Sequence, residues 1–161
     1  CGHAVSLQIT RASFFWTGKK LIDQKSAVVV AIISELGDER IFSLSDAHQT
    51  LDLVQKLTRT AVKELAPCQS KMNGMLDCDP RLVALEKEFE VIVRKWVMQV
   101  RRLGIKVYGL WELGFDTGDG YLCWRYPEIR LAYFLEYGED FQCRRPLKSV
   151  IEETQPEWAF Q

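Results

Sequence analysis

Two apolar stripes at helical spacing, followed by an abrupt change to a two-residue period, leave this chain few folds to adopt. Leu44, Ala47, Leu51, Val54, Leu57, Ala61 and Leu65 recur three or four residues apart, which puts them on one side of a long helix. Ser43 with Asp46 three residues later reads as a capping box at its start, and Pro67 is expected to stop it. Residues 68–79, with Asn73-Gly74, read as a loop, after which Asp79-Pro80 supplies an N-cap and a first helical position. The second stripe is Leu82, Leu85, Phe89, Ile92, Trp96, Val100 and Leu103, closed by Gly104 as a C-cap. Two such helices joined by a loop predict an antiparallel hairpin with an apolar seam.

After Gly104 the period is two. Ile105, Val107, Trp111, Leu113 and Phe115 are expected on one strand face, with Lys106, Tyr108 and Glu112 on the other. Asp116-Thr117-Gly118-Asp119-Gly120 reads as a hairpin turn. A second strand over Tyr121 to Tyr126, a turn at Pro127-Glu128 and a third strand over Ile129 to Tyr137 complete the pattern. In the third strand Ile129, Leu131, Tyr133, Leu135 and Tyr137 are expected to cover the helices, with Arg130, Ala132, Phe134 and Glu136 facing outward. The fold class predicted is therefore α+β: a long antiparallel helix pair packed on a three-stranded antiparallel β-meander.

At 161 residues and 18.6 kDa the chain is the size of one domain. Its expected organisation is an N-terminal extension of unclear structure over residues 1–40, an α+β domain over 41–150, and a surface tail over 151–161 docked by Trp158 and Phe160. Residues 1–40 fit short strands or a buried helix equally well. The first methionine is Met72, inside the domain, so the chain reads as a fragment, a processed form or one numbered from an unusual point. Cys1-Gly2 would suit the lipid-bearing start of a bacterial lipoprotein, but five scattered cysteines, an odd number, favour a reducing, cytoplasmic setting. The longest apolar run, Ala27 to Ile33, falls far short of the roughly 18 residues that a membrane span requires. A net charge of -1 argues against a globally basic nucleic-acid binder.

Catalytic and metal signatures are sparse. His48 lies in the first turn of the first helix as a flanking, solvent-facing residue, and His3 lies in an end segment. There is no paired Cys-x-x-Cys, no P-loop, no Gly-x-Gly-x-x-Gly and no Gly-x-Ser-x-Gly elbow, so no cofactor is expected. Cys68 and Cys78 bracket the expected inter-helix loop, but two thiols without a nearby histidine make an incomplete zinc site. Arg94-Lys95 and Arg101-Arg102 are interspersed with Glu86, Glu88 and Glu90, so nucleic acid is limited to a small local contact.

The strongest constellation lies on the outer sheet face. Cys123 and Arg125 are expected there with Glu112, Arg130 and Glu136, among Tyr108, Tyr121 and Phe134, and Cys143-Arg144-Arg145-Pro146 follows closely. Guanidinium groups, carboxylates and aromatic rings on one platform suit a charged or planar ligand. A solvated face held by cross-strand ion pairs would show the same alternation.

Phe42-Ser-Leu-Ser-Asp-Ala47, Leu122-Cys-Trp-Arg125, Glu128, Phe141 and Arg144-Arg-Pro-Leu147 together resemble a bacterial family known as domain of unknown function 2203. The resemblance covers residues 41–147. It implies a charged helical pair closing on a Leu-Cys-Trp segment and an arginine-proline-leucine motif, and it brings no activity with it. Two positions depart from the family pattern: Phe134-Leu135 stands where an aromatic-His pair is usual, and Cys143 stands where a glycine is usual.

These features favour a non-enzymatic binding or assembly module whose working residues are Cys123, Trp124, Arg125, Glu128, Glu136, Arg144 and Arg145. Its partner would be a protein, a small molecule or, through the helix pair, a second copy of the chain. The alternative is a small, metal-assisted enzyme acting on an anionic substrate, with Cys123 as nucleophile or ligand, Glu128 or Glu136 as base, and Arg144 or Arg145 holding the anion. That alternative requires an exposed, reactive Cys123.

Overall fold

The computed structural model describes residues 40–161. Helix α1 runs over Leu44–Asn73 and helix α2 over Arg81–Arg102. The sheet follows as β1 (Lys106–Gly109), β2 (Glu112–Asp116), β3 (Gly120–Arg125), β4 (Tyr133–Glu136) and β5 (Arg145–Pro146). A short helix α3 (Leu147–Thr154) and a 3-10 turn (Glu157–Ala159) end the chain. The class is α+β as expected, but the sheet has five antiparallel strands in the order β1-β2-β3-β4-β5.

Local chemistry explains the helix ends. The Ser43 hydroxyl accepts from Asp46 N at 3.1 Å, and the Asp46 carboxylate accepts from Ser43 N in return, which completes the capping box. Asp79 accepts from Arg81 N at 2.9 Å and so caps α2 through its side chain, with Pro80 in helical conformation behind it. Gly104 ends α2 with φ of 79° and sits so close to Arg40 that a Cβ would lie 3.0 Å from the Arg40 nitrogen.

Pro67 does not stop α1. The helix passes through it to Asn73, because Cys68 and Met72 on the next turn are buried against α2. The Cys68 thiol donates to the Leu85 carbonyl at 3.1 Å. Tertiary packing offsets the lost backbone hydrogen bond at the proline. A second buried polar contact crosses the interhelical seam: Trp96 Nε1 donates to Thr58 Oγ1 at 3.0 Å.

Two strand expectations are corrected. The segment over Ile105 to Phe115 is a tight hairpin, not one strand, because Trp111 adopts φ of 65° and turns the chain between β1 and β2. Its indole is buried edge-on against Trp96, ring centroids 4.7 Å apart, and this contact offsets the left-handed backbone. The third strand shortens to Tyr133–Glu136 and presents the opposite face to the one expected. Phe134 packs inward into the helix-side core and stacks on Trp158, while Tyr133 and Leu135 stand opposite Cys123 and Tyr121.

The core lies between the helix pair and the inner sheet face, where Val107, Leu113, Phe115, Leu122, Trp124 and Phe134 meet Trp96, Val97 and Val100. The tail docks through Trp158, whose indole donates to Asp119 at 3.0 Å. Phe160, expected to share that role, is exposed.

Candidate functional site

The outer sheet face is no open platform. Tyr121, Cys123 and Leu135 form a small second core with Phe141, and Tyr108 and Cys143 pack against it. The 3-10 turn Phe141–Cys143 delivers this cover. Tyr108, Tyr121 and Phe141 meet ring to ring at 5.3–5.6 Å, and the Lys106 ammonium lies over both tyrosine rings.

A cluster of four charges sits at one end of this face. In register, Glu112 on β2 stands opposite Arg125 on β3, and their side chains approach to 2.8 Å. Glu128, in the turn after β3, accepts from the Arg125 backbone N–H at 2.8 Å and from Arg144 Nη1 at 3.1 and 3.3 Å. The Arg144 guanidinium is held between the rings of Tyr133 and Phe141, 4.5 Å from each centroid, and Arg125 lies over Phe141 at 5.3 Å. Three elements distant in sequence thus fix two guanidinium groups against one aromatic ring. Arg144 is fixed by stacking on both sides and by an ion pair at its tip, so little rotamer freedom is left to it.

Burial sets the chemistry of the neighbours. Glu112 is 5% exposed, and burial pushes its carboxyl above the ordinary range, an effect opposed by Arg125. Cys123 is fully buried, and burial pushes its thiol up to about 12, with Arg144 pulling weakly the other way. A neutral thiol closed off from solvent does not meet the condition that the enzymatic reading set for Cys123.

Of the residues singled out from sequence, Cys123, Arg125, Glu128 and Arg144 come together. Trp124 points to the opposite side of β3, into the helix-side core, although its indole donates to the Glu128 carbonyl at 2.7 Å. Glu136 and Arg145 form a separate exposed group, in which Arg145 bridges Glu136 at 3.5 Å and Glu153 at 2.6 Å. Arg130 is exposed between β3 and β4, and Phe134 is on the inner face. Tyr133 and Phe141, which clamp Arg144, escaped the strand reading because the parity of β4 depends on contacts with a remote segment. The Gly120 position opposite it was the available signal, since a Cβ there would lie 2.6 Å from the Leu135 carbonyl.

His48 is exposed on α1 as expected, and His3 lies outside the described residues. Cys68 is buried in α1 and Cys78 is exposed. Among the described residues, no group of three or more His, Cys, Asp and Glu is arranged to hold a metal, and no helix is long and apolar enough to cross a membrane. The basic pairs on α2 are partly neutralised: Arg94 pairs with Glu90 and Lys95 with Glu64.

The model of the family described as uncharacterised conserved protein, DUF2203, matches residues 40–147. The chain belongs to the DUF2203 family. The DUF2203 match takes in the helix pair, β1 to β5 and every residue of the charged cluster, and ends where α3 begins. The stacking tryptophan, Trp158, lies beyond it. Neither a curated protein nor a solved structure matches the chain.

Proposed function

We propose that this protein is a non-enzymatic binding module whose working site is the four-charge cluster at the end of the outer sheet face. The observation that carries this reading is the immobilisation of Arg144, stacked between Tyr133 and Phe141 and tied to Glu128. A guanidinium already fixed in place loses little entropy when it meets a ligand, and it sits beside a second guanidinium on the same ring. Catalysis has weaker support, because Cys123, the thiol on which that reading rests, is buried and neutral.

Native mass spectrometry of protein purified without tags or chelators tests this reading, because it reports bound mass and oligomeric state together. A stoichiometric small-molecule adduct that disappears in Arg144→Ala supports it. A bare mass in the wild-type protein refutes it.

A further inference from the structure

Ion pairs do not account for all the basic residues of α2. Arg94 and Lys95 have carboxylate partners, whereas Arg102, exposed at the end of the helix, pairs with none among the described residues. It lines an open groove of about 550 Å³ together with Arg40, Gln49, Thr50, Leu53 and Leu103, and no carboxylate belongs to the wall. By contrast, Glu64 lines both of the grooves formed by the middle of α1 and α2, with Lys87 in one and Lys95 in the other.

Arg102 alone has a structural explanation, since a cation in the last turn offsets the negative end of a helix. Arg40 belongs to no helix, yet it is held in place. Its backbone N–H donates to the Gly104 carbonyl at 3.1 Å, its guanidinium carbon lies 4.9 Å from the centre of the buried Phe42 ring, and the glycine at 104 leaves room for its stem. The carbonyls of Val100, Arg101 and Gly104 accept from Leu103, Gly104 and Arg40, which blunts the repulsion an anion would otherwise meet at the end of α2.

Two guanidinium groups in one groove, with no carboxylate between them, focus positive potential on whatever enters. The complement is a group with nearly two negative charges and several acceptor oxygens. A phosphate monoester has both, at about −1.5 to −2 near pH 7, whereas a carboxylate carries about half that charge. The volume sets a second condition. Ligand pockets span about 300 to 1,000 Å³, and this groove exceeds the size of a phosphate alone, so an organic part has room against Leu53 and Leu103. The exposed Gln49 amide, bonded to no described residue, offers a further donor, while the Thr50 hydroxyl is spent on the Asp46 carbonyl at 2.8 Å.

We propose that this groove is a binding site for a small organic phosphate monoester, its phosphate taken by Arg40 and Arg102 and its organic part laid on Leu53 and Leu103. The site shares no residue with the four-charge cluster and does not rest on the binding reading given for it.

The test is a titration of the isotope-labelled whole chain with phenyl phosphate, against inorganic phosphate and sodium chloride at matched ionic strength. It follows the backbone amides of Gln49, Thr50 and Gly104 and the Nε–H groups of Arg40 and Arg102. A saturable shift with phenyl phosphate is expected, with inorganic phosphate weaker because it gains nothing from the leucines. Arg40→Gln and Arg102→Gln should each weaken binding at least about tenfold, while Arg101→Gln, the same charge change just outside the groove, should stay within about twofold. The affinity should fall as pH drops from about 7 to about 5, because the monoester loses its second charge near pH 6. No saturable shift up to about 10 mM phenyl phosphate overturns the site, and the wild-type protein alone decides that point. An equal loss in Arg101→Gln would mean general attraction to a basic surface and overturns it too. Equal affinities for phenyl and inorganic phosphate would leave the leucines without a part and remove the organic ligand. If phenyl phosphate is inert while a short oligothymidylate shifts the same amides, the groove takes a nucleic-acid backbone and the monoester site falls.

Discussion

Trp158 stacks flat on Phe134, with ring centroids 5.3 Å apart and planes 6° from parallel. The tail residue thereby covers the inner face of β4, and its indole reaches the turn between β2 and β3 through Asp119. Trp158→Ala is expected to cost about 3–5 kcal/mol, the range for an aromatic side chain removed from a packed site. Trp158→Phe keeps the stacking and should cost only about 1 kcal/mol for the lost hydrogen bond. Urea unfolding of the two variants checks both figures.

A buried side-chain hydrogen bond joins the two long helices at Thr58 and Trp96. Thr58→Val preserves shape but leaves Trp96 Nε1 buried without an acceptor. A loss of about 1–3 kcal/mol is expected. Thr58→Ser, which keeps the hydroxyl, should lose less, and thermal denaturation of the pair separates hydrogen bonding from packing.

The described cysteines should divide by accessibility. Cys78 is exposed and should react with a thiol reagent in the native protein, whereas Cys68 and Cys123 should be protected until unfolding. For Cys123 the protection should persist in mildly alkaline buffer, since its thiol is held at about 12. Peptide mapping after timed alkylation measures this, and rapid native labelling of Cys123 would contradict the packing described.

Glu112 carries a pH dependence of definite sign. Its carboxyl is raised in the folded protein by burial, so the stability it contributes is present below the unfolded value of 4.5 and is lost as pH rises through the folded value. Glu112→Gln should therefore gain on the wild type as pH climbs above 4.5. The gain amounts to about 1.4 kcal/mol for each pH unit separating the folded and unfolded values. Asp79, held at about 2 by Arg81, has the opposite sign and loses its contribution only in acid. Urea melts of wild type and variant across this range give the difference directly.

Much of the architecture was legible because it rests on local periodicity. The stripes of α1 and α2, the Ser43 cap and the Gly104 terminus are all set by neighbours within four residues. The errors fall where a distant contact overrules local preference. Pro67 stays inside α1 because Cys68 meets α2, and Trp111 turns the chain because its indole is anchored on Trp96. The face of β4 could not be read from the strand itself, whose residues on both faces are aromatic or aliphatic; Trp158 and Gly120 decide it. The charged cluster was half visible. Arg125, Glu128 and Arg144 stand out by their residue types, but the clamp formed by Tyr133 and Phe141 follows only from the corrected register.

The turn between β2 and β3 fastens both ends of the described chain. Near its first residue, the Phe42 backbone N–H donates to the Asp116 carbonyl at 2.7 Å, and at Asp119 it receives the Trp158 indole. Neither arm has a local substitute for this anchor: one bond spans 74 residues of chain and the other 39. In a folding reaction this hairpin has to exist before either arm can settle, and a break in it would release the two arms together. Loss of protection at Phe42 and at Trp158 in hydrogen exchange should therefore occur as one event.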